Sequence, residues 1–499
     1  MRRLVTAFIC LAALPVFTQA PAARQVLVIV VDGLRPDYVT PDAMPRVSAL
    51  GQRGIVMRTH HSVFPTVTRV NGASFVTGAY PETHGLLGNL IYMPKANAAK
   101  ALDTAVREDL LAVERSGDPL LTAPSLGEIL ERAGKRLMVV SSGTSGSAYL
   151  LNHAATNGVI IHPQFTKPES LAPQVIAKLG PVPPHALPNA AEHRRAVDAY
   201  IAFGLDDLHP DVTFMWLSDP DSTAHARGIG GADARAALAA VDAEIGRVED
   251  ALRSHRRLDT TDIILTSDHG FSTHTGELRL DALVKPFARP LPDGSPDIVV
   301  AEQEIYFRGA PDRSRVEALV AALQQRSEVG AIFTRLALPG TLSLDVARGS
   351  HARAGDILIS PNWTHDRNAN GFEGTTTQTG VAGHGAASPY DIHNVLMAAG
   401  PGFREHAVSD APTGNVDIAP TVLHLLGLTP PQTMTGRVID EALRGGRAPT
   451  IERGESAGAA TPDRSYVVAA HIAIVDGHRY LDDTVVTRSL PPRRPPVPR

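Results

Sequence analysis

The sequence contains one cysteine in 499 residues, Cys10. A chain so poor in cysteine cannot be stapled by disulfides and, beyond position 10, cannot use a thiolate as nucleophile or metal ligand. No long apolar run suited to a membrane span occurs after the first twenty residues, so the rest of the chain is expected to have no membrane-spanning helix. Charge of one sign is also lacking. A formal net charge of −5 offers no extended basic surface, which excludes nucleic acid as a stable partner and leaves small anionic substrates open. No internal repeat of fixed period is present.

What is present begins with MRRLVTAFICLAALPVFTQA. Arg2 and Arg3 precede an apolar run that is broken by Pro15 and ends in small residues, the pattern of a signal peptide over residues 1–20. Processing near Pro21 and a secreted or periplasmic location are expected, with an uncleaved anchor as the alternative. The whole chain is 43% hydrophobic and 20% charged, ordinary for a globular protein, while 39 prolines point to many loops. The length suits one large α/β domain with insertions, or two domains.

Residues 26–31, VLVIVV, form a continuous β-branched run, as in a strand buried on both faces of a parallel sheet, and deliver Asp32-Gly33. A helix over TPDAMPRVSALGQRG follows, with Asp42 as its capping candidate and Gly54 as its stop. Further strands are expected at 137–141, 213–218, 262–267 and 394–400, and further helices at 126–133, 233–253, 313–326 and 417–426. The strands at 213–218 and 262–267 run into Asp219-Pro-Asp-Ser-Thr-Ala-His225 and Asp268-His269-Gly270. Segments near 91–123, 150–205 and 271–380 break the α/β rhythm and are expected as insertions. Beyond residue 446, one strand-like stretch and a Pro/Arg tail are expected.

In open α/β sheets, ligands bind at the C-terminal edge of the strands, so these polar strand ends should converge. The collected set is Asp32, Asp221, His225, Asp268, His269 and His384, the last between two glycines. Three carboxylates and three imidazoles without a thiolate suit one or two borderline divalent ions, Zn²⁺ foremost, with Mn²⁺ or Fe also compatible. The stretch HHSVFPTVTRVNGASFVTGAYPETHGLLGN, residues 60–89, adds hydroxyls just ahead of a helix N-terminus, where an anion is stabilised. Thr66 and Thr68 are both candidate nucleophiles on spacing alone. His60, His61, His84 and His393 are read as surface, loop or core residues.

The motifs VVDGLRPDY, FPTVTRVNGASFVTGAYPETHGLLGN, DPDSTAH, TSDHG, GHG and DIAPTVLHLLG, in that order, resemble the alkaline phosphatase superfamily, most closely its nucleotide pyrophosphatase/phosphodiesterase branch. They span most of 26–442. The resemblance implies an alkaline phosphatase-like three-layer α/β sandwich over 24–445, with a mainly parallel central sheet flanked by helices and inserted cap subregions. It further implies two zinc ions, one held by Asp221, His225 and His384, the other by Asp32, Asp268, His269 and the Thr68 oxygen. Thr68 would then be the nucleophile of a phosphothreonine mechanism, Asn89 would bind a phosphoryl oxygen, and Arg69 and Asn71 would lie on the substrate side.

The chain departs from this branch after the nucleophile, where Arg69-Val70-Asn71-Gly72 replaces the usual aromatic-Pro-Asn-His. It also lacks the Cys/Ser-x-Pro-x-Arg motif of sulfatases, and SSGTSGSAYLLN carries neither the Lys nor the Arg that one group of monoesterases has after the corresponding strand. A small phosphate diester or pyrophosphate is therefore the expected substrate. Monoester and phosphonate hydrolysis are the enzymatic alternatives, and a non-catalytic binding protein is the alternative of a different class.

Overall fold

The structure, a computed structural model, describes residues 24–310 and 312–489. The expected signal peptide and the Pro/Arg tail lie outside the described residues. The central sheet contains β1 (Gln25–Val31), β2 (Ile55–His61), β3 (Leu137–Ser141), β4 (Val159–His162), β5 (Phe165–Lys167), β6 (Val212–Leu217), β7 (Thr261–Thr266), β8 (His393–Ala399) and β9 (Ala407–Ser409). Their order is β9-β2-β8-β7-β1-β6-β3-β4-β5, with Thr413–Gly414 also pairing β2. β1 pairs in parallel with β6 and β7, and β3 with β6 and β4. β8 runs antiparallel to β7 and β2.

Alternation along β1 sorts its side chains into two cores. Val26, Val28 and Val30 pack on one face with Phe75, Phe214 and Trp216, whereas Leu27, Ile29 and Val31 pack on the other with Val47, Val241 and Ile245. Both faces are thus covered, which is why the strand reads as an unbroken apolar run. The result is a helix–sheet–helix sandwich, the three layers expected from the sequence.

The helix α1 (Pro45–Arg53) corrects one expectation. Asp42 does not cap it; Pro45 starts it at N1 after Met44, which makes no side-chain cap. Its free N–H groups at Arg46 and Val47 instead donate to the Asp242 carboxylate at 3.2 and 2.9 Å, a cap supplied by the long helix Ala232–Ser254.

The 150–205 segment supplies β4 and β5 and so extends the central sheet. Residues 271–380 hold most of a four-stranded sheet and a five-stranded sheet that packs on its own apolar core around Phe64, Ile305, Leu319 and Phe333. Tyr466, Val468 and Ala470 join that same core. The C-terminal stretch, expected as one strand, is a hairpin of Tyr466–Val475 and His478–Arg488 flanked by Glu455–Ala460. Asp476 and Gly477 make its turn with φ of 47° and 77°, the conformation that a two-residue Asp-Gly hairpin turn requires.

Candidate active site

At the C-terminal edge of the sheet, β1 releases Asp32, β7 releases Asp268-His269, and β6 leads into a short helix, Asp221–Arg227. Helical geometry brings Asp221 and His225, four residues apart, onto one face. The Asp221 N–H donates to the Asp32 carbonyl at 3.1 Å, and the Gly33 N–H to Asp268 Oδ1 at 3.2 Å, so the three strand ends are tied together. Gly33 has φ of +70°, and a Cβ there would stand 3.0 Å from Phe271 and 3.1 Å from the Asp221 Cβ. Glycine suits this crossing on both counts.

Two triads result. In one, His225 Nε2 and His384 Nε2 lie 3.2 and 3.4 Å from Asp221 Oδ1. In the other, His269 Nε2 lies 3.0 Å from Asp268 Oδ2 and 3.6 Å from Asp32 Oδ1. Ligand atoms around a tetrahedral zinc at ~2.0 Å are separated by about 3.3 Å, and these spacings cluster around that value.

The hydrogen bonding points the same way. Each histidine donates its Nδ1–H to a backbone carbonyl: His225 to Ala382 at 3.0 Å, His269 to Gly270 at 2.9 Å, His384 to Thr66 at 2.8 Å. Every Nε2 is thereby turned toward carboxylate, the usual way a protein orients metal-binding imidazoles. Asp32 Oδ1, Asp221 Oδ1 and Asp268 Oδ2, the oxygens that face these nitrogens, are buried and have no hydrogen-bond partner among the described residues. Unpaired buried carboxylate oxygens are costly, and a divalent cation satisfies them. The residues present therefore fit a pair of divalent ions.

Titration follows the same crowding. Burial, together with the charges of Asp268 and Asp221, pushes Asp32 well above the usual carboxylate range. For Asp221, burial acts upward but His225 and His384 outweigh it and hold it well below that range. Burial and the neighbouring His269 push His384 down to about 4, so it is a neutral imidazole fit for ligation.

The two threonines separate on geometry. Thr66 is fully buried; its hydroxyl donates to the Ala386 carbonyl at 2.9 Å and accepts the Gly385 N–H at 3.0 Å, so it braces the loop that carries His384. Thr68 is the first residue of the helix Thr68–Thr77 and lines the cleft with Oγ1 3.3 Å from His269 Nε2. Asn89 Oδ1 accepts the Arg69 N–H at 3.1 Å, which fixes the amide and leaves its NH₂ as a donor with no partner among the described residues. The Arg69 N–H is thus already engaged.

Asn71 is a correction. Its amide does not face the cleft: Oδ1 accepts from the Val63 N–H and from Asn415 Nδ2 at 2.7 and 2.9 Å, while Nδ2 donates to the Val63 and Val67 carbonyls at 3.0 and 3.1 Å. Asn415 Nδ2 donates in turn to the Asp268 carbonyl at 2.8 Å, so this buried network joins the loop before Thr68 to the end of β7. Trp216, whose indole N–H donates to Asp32 Oδ2 at 2.9 Å, was also missed by sequence reasoning. Its one signal is an indole at the next-to-last position of a buried strand.

The cleft measures about 640 Å³ and is lined by Asp32, Thr68, Arg69, Ser142, Thr144 and Asp221 among others. Arg69 reaches Thr104 Oγ1 at 3.4 Å through Nε. Beside it, Glu302 accepts the Asn89 N–H at 2.9 Å. The loop after β3 brings hydroxyls, and no lysine or arginine, to this wall.

Over 434 residues the chain is 24% identical to human ectonucleotide pyrophosphatase/phosphodiesterase family member 1, covering 83% of this chain but 41% of that protein. Human family member 5 is 23% identical, with 83% and 76% covered. Among solved structures, murine family member 5 aligns with a TM-score of 0.62 at 18% identity, covering 84% of this chain and all of the other. A multiply substituted alkaline phosphatase PafA aligns at 0.66 and 17% identity, covering 86% and 100%. These likenesses agree in fold, and residues 26–385 match the family described as type I phosphodiesterase / nucleotide pyrophosphatase. The chain belongs to that family.

Proposed function

We propose that this protein is an exported hydrolase of phosphate diesters or nucleotide pyrophosphates, working with two zinc ions through a phosphothreonine at Thr68. The observation that carries the reading is the pair of Asp/His triads set beside the Thr68 hydroxyl at the mouth of a helix N-terminus. Asp221, His225 and His384 would hold one ion; Asp32, Asp268, His269 and Thr68 Oγ1 would hold the other. When bound, such ions favour the ionised form of the hydroxyl and offset charge on the phosphoryl oxygens. Mn²⁺ or Fe fits the same donors. Export rests on the pattern of residues 1–20 and on the ectoenzyme names of the relatives.

The chain's own residues account for the rest. Thr68 Oγ1 forms a bond to phosphorus as the bond to the leaving oxygen breaks; its proton passes to cleft water, and the departing oxygen takes one up. Water then attacks the phosphothreonine and regenerates the hydroxyl. The positive end of the Thr68–Thr77 helix favours charge at this point. The free NH₂ of Asn89 donates to an equatorial phosphoryl oxygen, a contribution of ~2–4 kcal/mol for a well-placed donor.

A diester is favoured because the wall after β3 offers Ser142, Thr144 and Ser145 where a dianionic monoester would call for cations. The murine relative has been solved, in an inactive Thr-to-Ala form, in complex with AMP, which makes a nucleotide substrate reasonable here. Parallel kcat/KM measurements on a bis-aryl diester, a dinucleotide, an aryl monoester and an aryl sulfate, with and without added zinc, test the proposal. The diester or dinucleotide should lead. A leading monoester would overturn the diester reading, and no turnover of any substrate in zinc-loaded protein would leave a binding protein.

A further inference from the structure

Outside the catalytic cleft, His61, His393 and Asp482 also bring their ligand atoms within 4.8 Å of one another. His61 ends β2 and His393 begins β8, and the two are register partners across the antiparallel pair. Their rings therefore sit side by side, centroids 4.8 Å apart. Asp482 comes from the C-terminal hairpin strand His478–Arg488. His61 Nε2 stands 2.7 Å and His393 Nε2 3.5 Å from the same oxygen, Asp482 Oδ1.

The hydrogen bond behind His61 repeats the arrangement of the catalytic histidines. Its Nδ1–H donates to the Thr413 carbonyl at 2.8 Å, so in a neutral ring the Nε2 lone pair faces a carboxylate oxygen. Two imidazole nitrogens and a carboxylate aimed at one point need a cation between them, either a proton or a metal ion. Tyr480 stacks on His61 with ring centroids 5.4 Å apart and planes at 22°, which holds the imidazole still. His61 is 2% exposed at its side chain, whereas Asp482 and His393 are 31% and 27% exposed, so the site has a fixed floor and an open rim.

We propose that His61 Nε2, His393 Nε2 and Asp482 form a third metal site, for a borderline first-row divalent cation such as Zn²⁺, with water completing its coordination. Two imidazoles and one carboxylate are a donor set that such ions accept at ~2.0–2.2 Å. Binding would open the His61–Asp482 edge by about half an ångström toward the spacing of a tetrahedron. The ion would clamp the C-terminal sheet onto the central sheet directly ahead of the loop that leads from His61 to Thr68. Its role is structural, adding to the Thr484 N–H bond to the Ala387 carbonyl, 2.9 Å, that ties this strand to the segment ahead of β8.

The test compares wild type with Asp482→Asn and His393→Gln, none of which touches the catalytic triads. After equilibration with Zn²⁺ and dialysis, elemental analysis should find one equivalent fewer in each variant. The rise in Tm that zinc confers on chelator-treated protein should shrink in parallel, while kcat at saturating zinc stays within about two-fold. Crystals of the wild type grown with Zn²⁺ should show anomalous density between the three side chains, a result that does not depend on either variant folding. Equal metal content in all three proteins, or no anomalous peak at this point, would mean that a proton alone joins His61 to Asp482 and would overturn the proposal. Because the readout is a difference at constant catalytic residues, it is independent of whether the catalytic centre holds two zincs.

Discussion

The imidazoles of His269 and His384, which belong to different triads, lie stacked with centroids 3.5 Å apart and planes at 16°. Their Nε2 atoms point to Asp268 and Asp221, so the stack is the shared wall of the two candidate metal positions. His225, by contrast, touches the first triad only, from a rim that leaves its side chain 45% exposed. His384→Ala should therefore weaken metal retention in both triads, and His225→Ala in one. Competition with a graded chelator, followed by elemental analysis, should show two weakened equivalents for the first variant and one for the second. Equal losses would show that the stack does not couple the positions.

The threonines give a second contrast. Thr68→Ala removes the hydroxyl beside His269 and should lower kcat by about 10³-fold or more. Thr66→Ala removes a brace between Gly385 and Ala386, so its smaller loss should appear as weaker zinc retention, partly recovered at high zinc and fully in Thr66→Ser. If both alanine variants lose the same modest activity, Thr68 is not the nucleophile.

Asn71 should behave as a scaffold residue. Alanine there leaves the Val63 N–H and carbonyl, the Val67 carbonyl and Asn415 Nδ2 short of partners in a buried site, at a cost of about 2–4 kcal/mol. Thermal unfolding of Asn71→Ala should show that loss as a lower Tm, with kcat and KM of the remaining folded enzyme changing together. An unchanged Tm with a raised KM alone would return Asn71 to the substrate side.

The strands that build the site were legible because burial on both faces makes them continuous apolar runs, and the polar residue that ends each run is then conspicuous. The same burial hides direction: nothing in His393–Ala399 distinguishes an antiparallel strand from its parallel neighbours. The Asp476-Gly477 turn was readable from its residue types, but apolar residues on both sides made the hairpin look like one strand. Asn71 resembled a site residue because the partner that reveals its role, Asn415, lies 344 positions away. His61, His393 and Asp482 were unreadable as a group for the same reason: the hairpin's docking, not local spacing, brings them together.

Stability should fall as pH rises through neutrality because of Glu304. Burial raises its carboxyl to about 7, against a hydrogen bond from the Tyr306 hydroxyl that acts the other way. With a folded value above the unfolded one, its contribution is fully present below about pH 4.5 and is lost as pH climbs through about 7, on the order of 3 kcal/mol in all. Denaturant midpoints at a series of pH values should show this slope in the wild type and a flatter one in Glu304→Gln, which stays neutral. The same slope in both proteins would assign it to another group.

Arg69 stands where the resemblance places an aromatic side chain, directly after the proposed nucleophile and on the cleft wall. A guanidinium offers a fork of donors for a second anionic group and no comparable apolar face for stacking. Among the described residues its side chain is lightly held, by one 3.4 Å bond to Thr104. The nearby Glu302 is pushed up by burial, while the Asn89 N–H and the Arg69 charge pull it down. Arg69 is therefore positioned to exchange these neighbours for substrate charge. Arg69→Phe should lower kcat/KM for a diester bearing an extra negative charge and alter a matched uncharged aryl diester less, by a differential on the order of 1–3 kcal/mol. Measured at two salt concentrations, the wild-type preference for the charged substrate should weaken with salt, and that of Arg69→Phe should not. If both enzymes show the same charged-to-uncharged ratio at each salt concentration, Arg69 plays no part in recognition and serves only to close the wall between Thr104 and Glu302.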